Sequence, residues 1–445
     1  MAPLKHFHLT LLSCLFSIIL LTGTSHGLTL EECVNMALNN NPDLQKQALN
    51  QRAASSYVEE LQSQNFGKIS AIASYTHYNL PRTLVPMTPA AMFTDPTGVA
   101  TTEDLSFAGI SYEVPLFTGF AQSSSIEVAN LQHQMSKVAF KLSREQLIYN
   151  VKSLYTTILS LQSQEEAQEA YIKALKQLYD DIILQMQLGK RARVDQLKAA
   201  TDLERARAQK AHIVSSLTIV RATLASLLNV ATLSDLEEIP LAVEPTGPKM
   251  SSFSQRIKEL QRYHSAELEV LKSEKLIKQS EAALYPQLTF NAFYGQNFGP
   301  NDNSNPSSND WQNEEVWQAG LTLKWDIIDF GKRSSSRQRA DITRQQSLRE
   351  RLKTELDLRR DFTEAVTRIN ASVTDYNSAR TELALTRETE SIEQIRFDKG
   401  AADLNDLLQA KARNQLALSR FINAGYTYKN AGFYLDYLLE RGELH

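Results

Sequence analysis

Proline punctuates this chain unevenly, and the gaps it leaves constrain the fold more than any other feature. All 13 prolines fall before residue 307, and none lies between Pro115 and Pro240 or after Pro306. In the first gap Gly119 and Gly189 are the only glycines. A proline inside a helix costs about 3 kcal/mol, so two long runs without it permit very long helices. The runs carry coiled-coil periodicity. Leu147, Val151, Leu154, Ile158 and Leu161 step by 4, 3, 4, 3, and Ile172, Leu175, Tyr179, Ile182 and Met186 by 3, 4, 3, 4. Past Gly189 the pattern returns as Ile213, Leu217, Val220, Leu224 and Leu227. Steps averaging about 3.5 residues describe a narrow apolar seam packed against other helices. A helix from Ala121 to Leu188 would measure about 100 Å, far more than a compact domain.

Outside those runs the period switches to 2. In Val316 to Asp326 the odd positions Trp317, Ala319, Leu321, Leu323 and Trp325 are apolar. The even positions Gln318, Gly320, Thr322, Lys324 and Asp326 are polar or small. This is a strand with one greasy and one wet face. From Trp317 to Trp325 it spans roughly 26 Å, close to the roughly 25 Å apolar band of an outer-membrane barrel with its aromatic girdles. A half-buried strand of a soluble sheet has the same pattern.

The second half of the chain repeats the first. Ala108-Gly109-Ile110 matches Ala319-Gly320-Leu321, Gly189 matches Gly400, Asp195 matches Asp406 and Ala199 matches Ala410, all at an offset of 211. Nearer the start, Asn41-Pro42-Asp43-Leu44 resembles Ser265-Ala266-Glu267-Leu268 at offset 224. The expected organisation is a signal peptide over 1–27, a first repeat over 28–239, a linker over 240–250 and a second repeat over 251–445. The first repeat reads as strands at about 67–79 and 105–114 with long helices at about 121–188 and 192–228. The second reads as strands at about 287–296 and 316–326 with helices at about 332–397 and 403–438. Four strands cannot close a barrel, which needs about eight, and an open sheet edge is not viable in lipid. If the hairpins enter a membrane, several chains must pool strands.

A formal charge of −4 and 22% charged residues indicate neither disorder nor a polybasic nucleic-acid binder. Lys5, the apolar stretch Leu9 to Leu21 and Ser25-His26-Gly27 read as a secretory signal cut before Leu28. After such a cut Cys33 is the one remaining thiol, which excludes an internal disulfide or a cysteine-based metal site. No later stretch approaches 18 consecutive apolar residues, so no helical span is expected. His77, His133, His212, His264 and His445 lie far apart and make no helical zinc pair. Gly331-Lys332 and Gly189-Lys190 lack the upstream glycine of a phosphate loop, with Asp326 and Leu184 there instead. No catalytic, cofactor or metal site is expected.

Leu28-Thr29-Leu30-Glu31-Glu32-Cys33 through Leu38, then Asn41-Pro42-Asp43-Leu44, resembles the TolC-like outer-membrane efflux protein family. Leu284-Tyr285-Pro286-Gln287-Leu288, Trp325 to Arg333, Gly189 to Ala199 and Gly400 to Ala410 carry the same resemblance. It implies an α+β membrane protein with a two-fold internal repeat. Three chains would give four strands each to a 12-stranded barrel, and their helices would form a periplasmic tunnel. It also implies a homotrimer that meets a periplasmic adaptor and an inner-membrane transporter, in efflux or type I secretion.

Under that resemblance Trp317, Leu321, Leu323 and Trp325 face outer-membrane lipid. Gly189, Lys190, Gly400 and Ala401 form adaptor-contact tips. Asp406, Asp403 and Asp195 line the periplasmic gate, with Asp403 and Asp406 on one helix face. Arg191 and Arg193 pair with Asp403 or Asp406 to hold the end closed. The cations Lys332, Arg333, Arg337 and Arg339 are expected to meet lipid phosphates, or else to form a solvated face. The alternative function is an elongated structural coiled-coil protein of the periplasm or cell surface.

Overall fold

The computed structural model describes residues 27–94, 99–241, 256–302 and 311–442. The signal peptide and most of the linker expected over 240–250 lie outside the described residues. Helices α1 (Leu30–Asn40) and α2 (Pro42–Ser63) lead into strand β1 (Lys68–Thr83). A short helix α3 (Pro89–Thr94) lies in the loop before β2 (Thr101–Phe117). Helix α4 (Ala121–Gln187) then turns into α5 (Arg193–Leu228). The second unit repeats this with α6 (Gln261–Glu281), β3 (Gln287–Pro300), β4 (Trp311–Lys324), α7 (Lys332–Asp398) and α8 (Leu404–Leu438). Both α4 and α7 have 67 residues, or about 100 Å each.

The four strands form one antiparallel sheet in the order β1-β2-β3-β4. All four extend past the alternating stretches at their loop ends, though at its other end β4 stops at Lys324, short of the expected Trp325 and Asp326. In β1 and β2 two prolines are accommodated because they fall at irregularities where a missing N–H costs no ladder bond. Pro81 lies between His77 and Arg82, where the β1–β2 register shifts. Pro115 sits beside the shift between Pro115 and Phe117 on β2.

Each pair of short helices completes a rod that runs beside a long one. Asn41 caps α2 by accepting from the Leu44 N–H, and its own Nδ2 donates to the Leu227 carbonyl at the end of α5, 3.0 Å away. In the second unit the Glu440 carboxylate accepts from the N–H groups of Gln261 (2.5 Å) and Arg262 (3.1 Å), the first residues of α6. Glu440 follows α8 in the left-handed conformation, so the end of α8 is spliced onto the start of α6. Leu260, the residue before α6, is therefore the counterpart of Asn41. The offset of 224 placed that counterpart at Ser265. The match of similar residues was misleading because the two caps use different chemistry.

The core around α4 is wider than a two-stranded seam. Leu147, Val151 and Ile158 are buried as the periodicity requires, but so are Ile148, Tyr155 and Leu159, while Leu154 and Leu161 are only partly covered. Here α1, α5 and α8 all pack on α4, so three sides are enclosed. Tyr155 is fully buried, and its hydroxyl lies 2.8 Å from the Leu28 carbonyl and 2.6 Å from that of Glu237. It ties down the parallel bridge between Leu28 and Leu236.

Helix α5 is long and apolar enough to cross a membrane by length and composition alone. The expectation of no helical span counted only uninterrupted apolar runs, and a helix packed in a bundle passes this length-and-composition test as well. Ile213, Leu224 and Leu228 of α5 are buried in the bundle, whereas Ile219 is 65% exposed.

Candidate functional site

The far end of the helices carries two turns of one design. Gly189 (φ 70°) and Gly400 (φ 73°) are left-handed. Lys190 N–H donates to the Gln185 carbonyl and Ala401 N–H to that of Arg396, each at 2.8 Å. A side chain at either glycine would meet nothing within 4 Å, so only the backbone angle demands glycine. The helices that follow start differently. Asp403 caps α8, its carboxylate accepting from the Asp406 N–H at 2.9 Å. Ala192, its counterpart, gives α5 no side-chain cap. Asp195 and Asp406 both occupy first turns, where the helix dipole favours anions.

This changes the expected acidic layer. Asp403 lies just outside α8 as its N-cap, with its carboxylate turned back onto the Asp406 N–H. The expected ion pairs are also absent. Among the described residues no salt bridge joins Arg191 or Arg193 to Asp403 or Asp406. Arg191 instead donates from Nε to Gln185 at 3.1 Å, and its guanidinium lies 4.4 Å from the centre of the Phe397 ring. The competing partner is a buried aromatic on the other unit, and this contact locks the two tips together. Lys190, Arg191, Gly400, Asp403 and Asp406 line an open cleft of about 840 Å³.

At the opposite end the sheet separates its faces cleanly. Opposed residues share a face, so the register can be followed across all four strands. Leu321 is opposite Phe290, Leu323 opposite Leu288 and Trp317 opposite Tyr294, while Tyr294 is opposite Ile110 and Ile110 opposite Ala71. Over these rungs that face is apolar, and beyond Trp317 it turns polar, with Glu315 and Asn313 on β4 and His77 against Asp104 on β1 and β2. The other face carries Ser70, Ser111, Asn291, Thr322 and Lys324, and Asn291 donates to Thr322 at 3.2 Å. It also holds Phe107 against Phe293, ring centres 4.7 Å apart. Phe293 covers Gly109 and Gly295, which face each other across β2 and β3. A Cβ at Gly109 would lie 2.5 Å from the Tyr294 carbonyl oxygen.

Where strands become helices, two of the four expected lipid-binding cations are already paired. Asp329 accepts from the backbone N–H of Arg333 (2.9 Å) and from its Nε (2.8 Å). Arg337 Nε donates to Glu281 at 2.8 Å. Burial would raise the Asp329 pKa, but the hydrogen bonds from the Arg333 and Gly331 N–H groups and the Arg333 guanidinium hold it below the usual range. Arg333 also reaches the Ala283 and Ile327 carbonyls, stapling α7 to the end of α6. In the first unit Thr118 caps Gln122, whose side chain donates to the Leu61 carbonyl. The position is structural in both units, which leaves Lys332 and Arg339, among the described residues, as the unpaired cations of the four expected at lipid phosphates or on a solvated face. Lys332 and Arg339 remain exposed.

Two features escaped the sequence reading. Thr156, Ser160, Gln164 and Gln168 form a polar ladder along α4 at spacings of four. It meets Asn430, Asn423 and Gln415 of α8. Beyond α8, Gly442 is anchored by buried Glu145, which accepts from its N–H at 2.7 Å, and by Lys152, which donates to its carbonyl at 3.2 Å. Burial lowers the Lys152 pKa, against the opposing pull of Asp436 and Glu145. Among the described residues no group of three or more His, Cys, Asp or Glu could hold a metal.

A family profile described as outer membrane efflux protein matches residues 33–230 and 259–439. A search of curated proteins by sequence finds no match. Among solved structures, the chain resembles the CmeC outer membrane channel of Campylobacter jejuni at a TM-score of 0.76 and 16% identity, over 93% of this chain and 86% of that one. The outer membrane protein VceC of Vibrio cholerae matches at 0.74 and 14%, over 92% and 96%. The open-state MtrE outer membrane channel of Neisseria gonorrhoeae matches at 0.73 and 17%, over 93% and 89%. At these identities the likeness is one of fold.

Proposed function

Because the chain belongs to the outer membrane efflux protein family, and is thus an outer-membrane conduit for efflux with a periplasmic extension, we propose that three copies assemble into one passive, gated duct. The observation that carries this reading is a four-stranded sheet with two unpaired outer edges, set on helices about 100 Å long. Edges in lipid must be paired, and four strands are too few to close alone. Three copies pool twelve strands into a barrel with Trp317, Leu321, Leu323 and Trp325 toward lipid and Thr322 and Lys324 toward the lumen. The long helices continue it as the periplasmic tunnel.

At the far end the turns at Gly189-Lys190 and Gly400-Ala401 meet a periplasmic adaptor, and an inner-membrane transporter supplies the energy. Asp406, with Asp195 as its counterpart, lines the constriction. Asp403 holds the first turn that carries Asp406, and Arg191 fixes the tip through Phe397. The conduit serves tripartite efflux or type I secretion. The family membership disfavours the alternative of a structural coiled-coil protein.

Planar-bilayer recording tests this reading. The purified protein is expected to insert with discrete conductance steps, and protein that inserts none contradicts a duct. Trivalent cations on the periplasmic side are expected to block the wild type, and Asp406→Ala to lose most of that block. Undiminished block of Asp406→Ala would remove the aspartate from the pore.

A further inference from the structure

We infer that the free edge of β4 pairs antiparallel with the free edge of β1 in a neighbouring copy, in the register that sets Gly320 opposite Thr76. The inference rests on the pooled barrel proposed above and specifies which residues meet.

The chain contains its own template for the joint. Ile72 is opposite Gly109 in the first hairpin, and Asn291 is opposite Gly320 in the second. Ala73 and Ala108 are matched likewise by Ala292 and Ala319. So β1 corresponds to β3, and β2 to β4. The joint between hairpins is β2 with β3, where Gly109 faces Gly295, Ile110 faces Tyr294 and Tyr112 faces Ala292. Moving that joint to the two free edges sets Gly320 opposite Thr76, Leu321 opposite Tyr75 and Leu323 opposite Ala73. Past the end of β4 at Lys324, the bulge that sets Phe117 against Leu288 carries the joint on to Ile328 against Ile69.

Two further observations fit this register. A Cβ at Gly109 would collide with β3 at 2.5 Å, whereas at Gly320 nothing lies within 4 Å. The glycine of the template is kept on β4, and the strand that would crowd it is missing from the single chain. Facing also agrees. Leu321, Leu323 and Ile328 meet Tyr75, Ala73 and Ile69, while Thr322 meets Ser74, so each face continues across the joint. Leu321 (64%), Tyr75 (67%), Ile328 (73%) and Ile69 (75%) are all exposed in the single chain. A slip of one residue would set every apolar side chain against the polar face.

Disulfide trapping tests the register. Gly320→Cys with Thr76→Cys, and separately Ala319→Cys with His77→Cys, are oxidised in isolated outer membranes and run boiled without reductant. Two pairs are used because successive antiparallel rungs alternate in spacing. Both are expected to give covalent dimers and trimers. The slipped pair Gly320→Cys with Ser74→Cys, which keeps the same face, is expected to remain monomeric, as are the single variants. Unboiled samples report assembly independently. An assembled oligomer that cross-links through the slipped pair, or through neither matched pair, overturns the register and leaves the pooled barrel standing. A wild type with no oligomer in unboiled samples overturns both.

Discussion

Leu321 sits midway between Trp317 and Trp325, four residues from each, and is 64% exposed on the apolar face of the sheet. At about 3.3 Å per residue each tryptophan is roughly 13 Å away along the strand, which places Leu321 at the middle of an apolar band about 25 Å tall. Arginine at the bilayer midplane of a barrel costs roughly 2–4 kcal/mol. At 1.4 kcal/mol per tenfold, Leu321→Arg is expected to lower the folding constant by about 30- to 700-fold, and so the assembled fraction by about 15- to 350-fold under conditions where wild type is half unfolded. Thr322, the next residue, occupies the opposite face beside Asn291. Thr322→Arg is expected to assemble nearly as well as wild type. The assay is a urea titration of outer-membrane protein, scored by the oligomer band in unboiled gels. Equal midpoints for the two variants would refute the facing, because adjacent strand residues lie on opposite sides of the sheet.

Three other outcomes are expected. Glu440→Ala leaves two N–H groups at the start of α6 without their acceptor. It should cost about 1–2 kcal/mol and speed hydrogen exchange of the first α6 turn, with unchanged exchange refuting the splice. Cys33 is fully buried, and burial, then the Glu32 carboxylate, push its thiol pKa up to about 11. Iodoacetamide at pH 8 should label it only after denaturation, since the thiolate is the reactive form, and labelling of native protein would contradict the packing around α1. Asp403→Ala removes the α8 cap and should cost about 1 kcal/mol, whereas Asp403→Asn should keep most of it. Equal thermal midpoints for the two would deny the capping role.

The large elements were legible because they depend on period and punctuation. Proline-free runs and heptads located α4, α5, α7 and α8, and alternation located the strands. The offset of 211 marked both tip turns, since a left-handed residue after a helix calls for glycine in either unit. Ends and partners were less legible. Strands ran past Pro81 and Pro115 because bulges absorb a missing donor, which composition does not reveal. The Asn41 and Glu440 caps perform one task with different residues, so similarity could not align them. Arg191 was expected on a carboxylate and lies on Phe397, a choice made by helices distant in sequence. Arg333 was counted as a free cation because its Asp329 partner is shared with the backbone. The ladder Thr156, Ser160, Gln164 and Gln168 was visible as a spacing of four, yet only α8 beside it gives the spacing a meaning.

Native mass spectrometry of the protein released from outer membranes in mild detergent counts the chains that share one barrel. Four strands per chain, two open edges and a barrel that must close in lipid call for pooled chains, and the duct proposed from the outer membrane efflux family predicts three of them recovered from the outer-membrane fraction. A single chain recovered from the soluble periplasmic fraction would contradict the pooled barrel and the duct built on it.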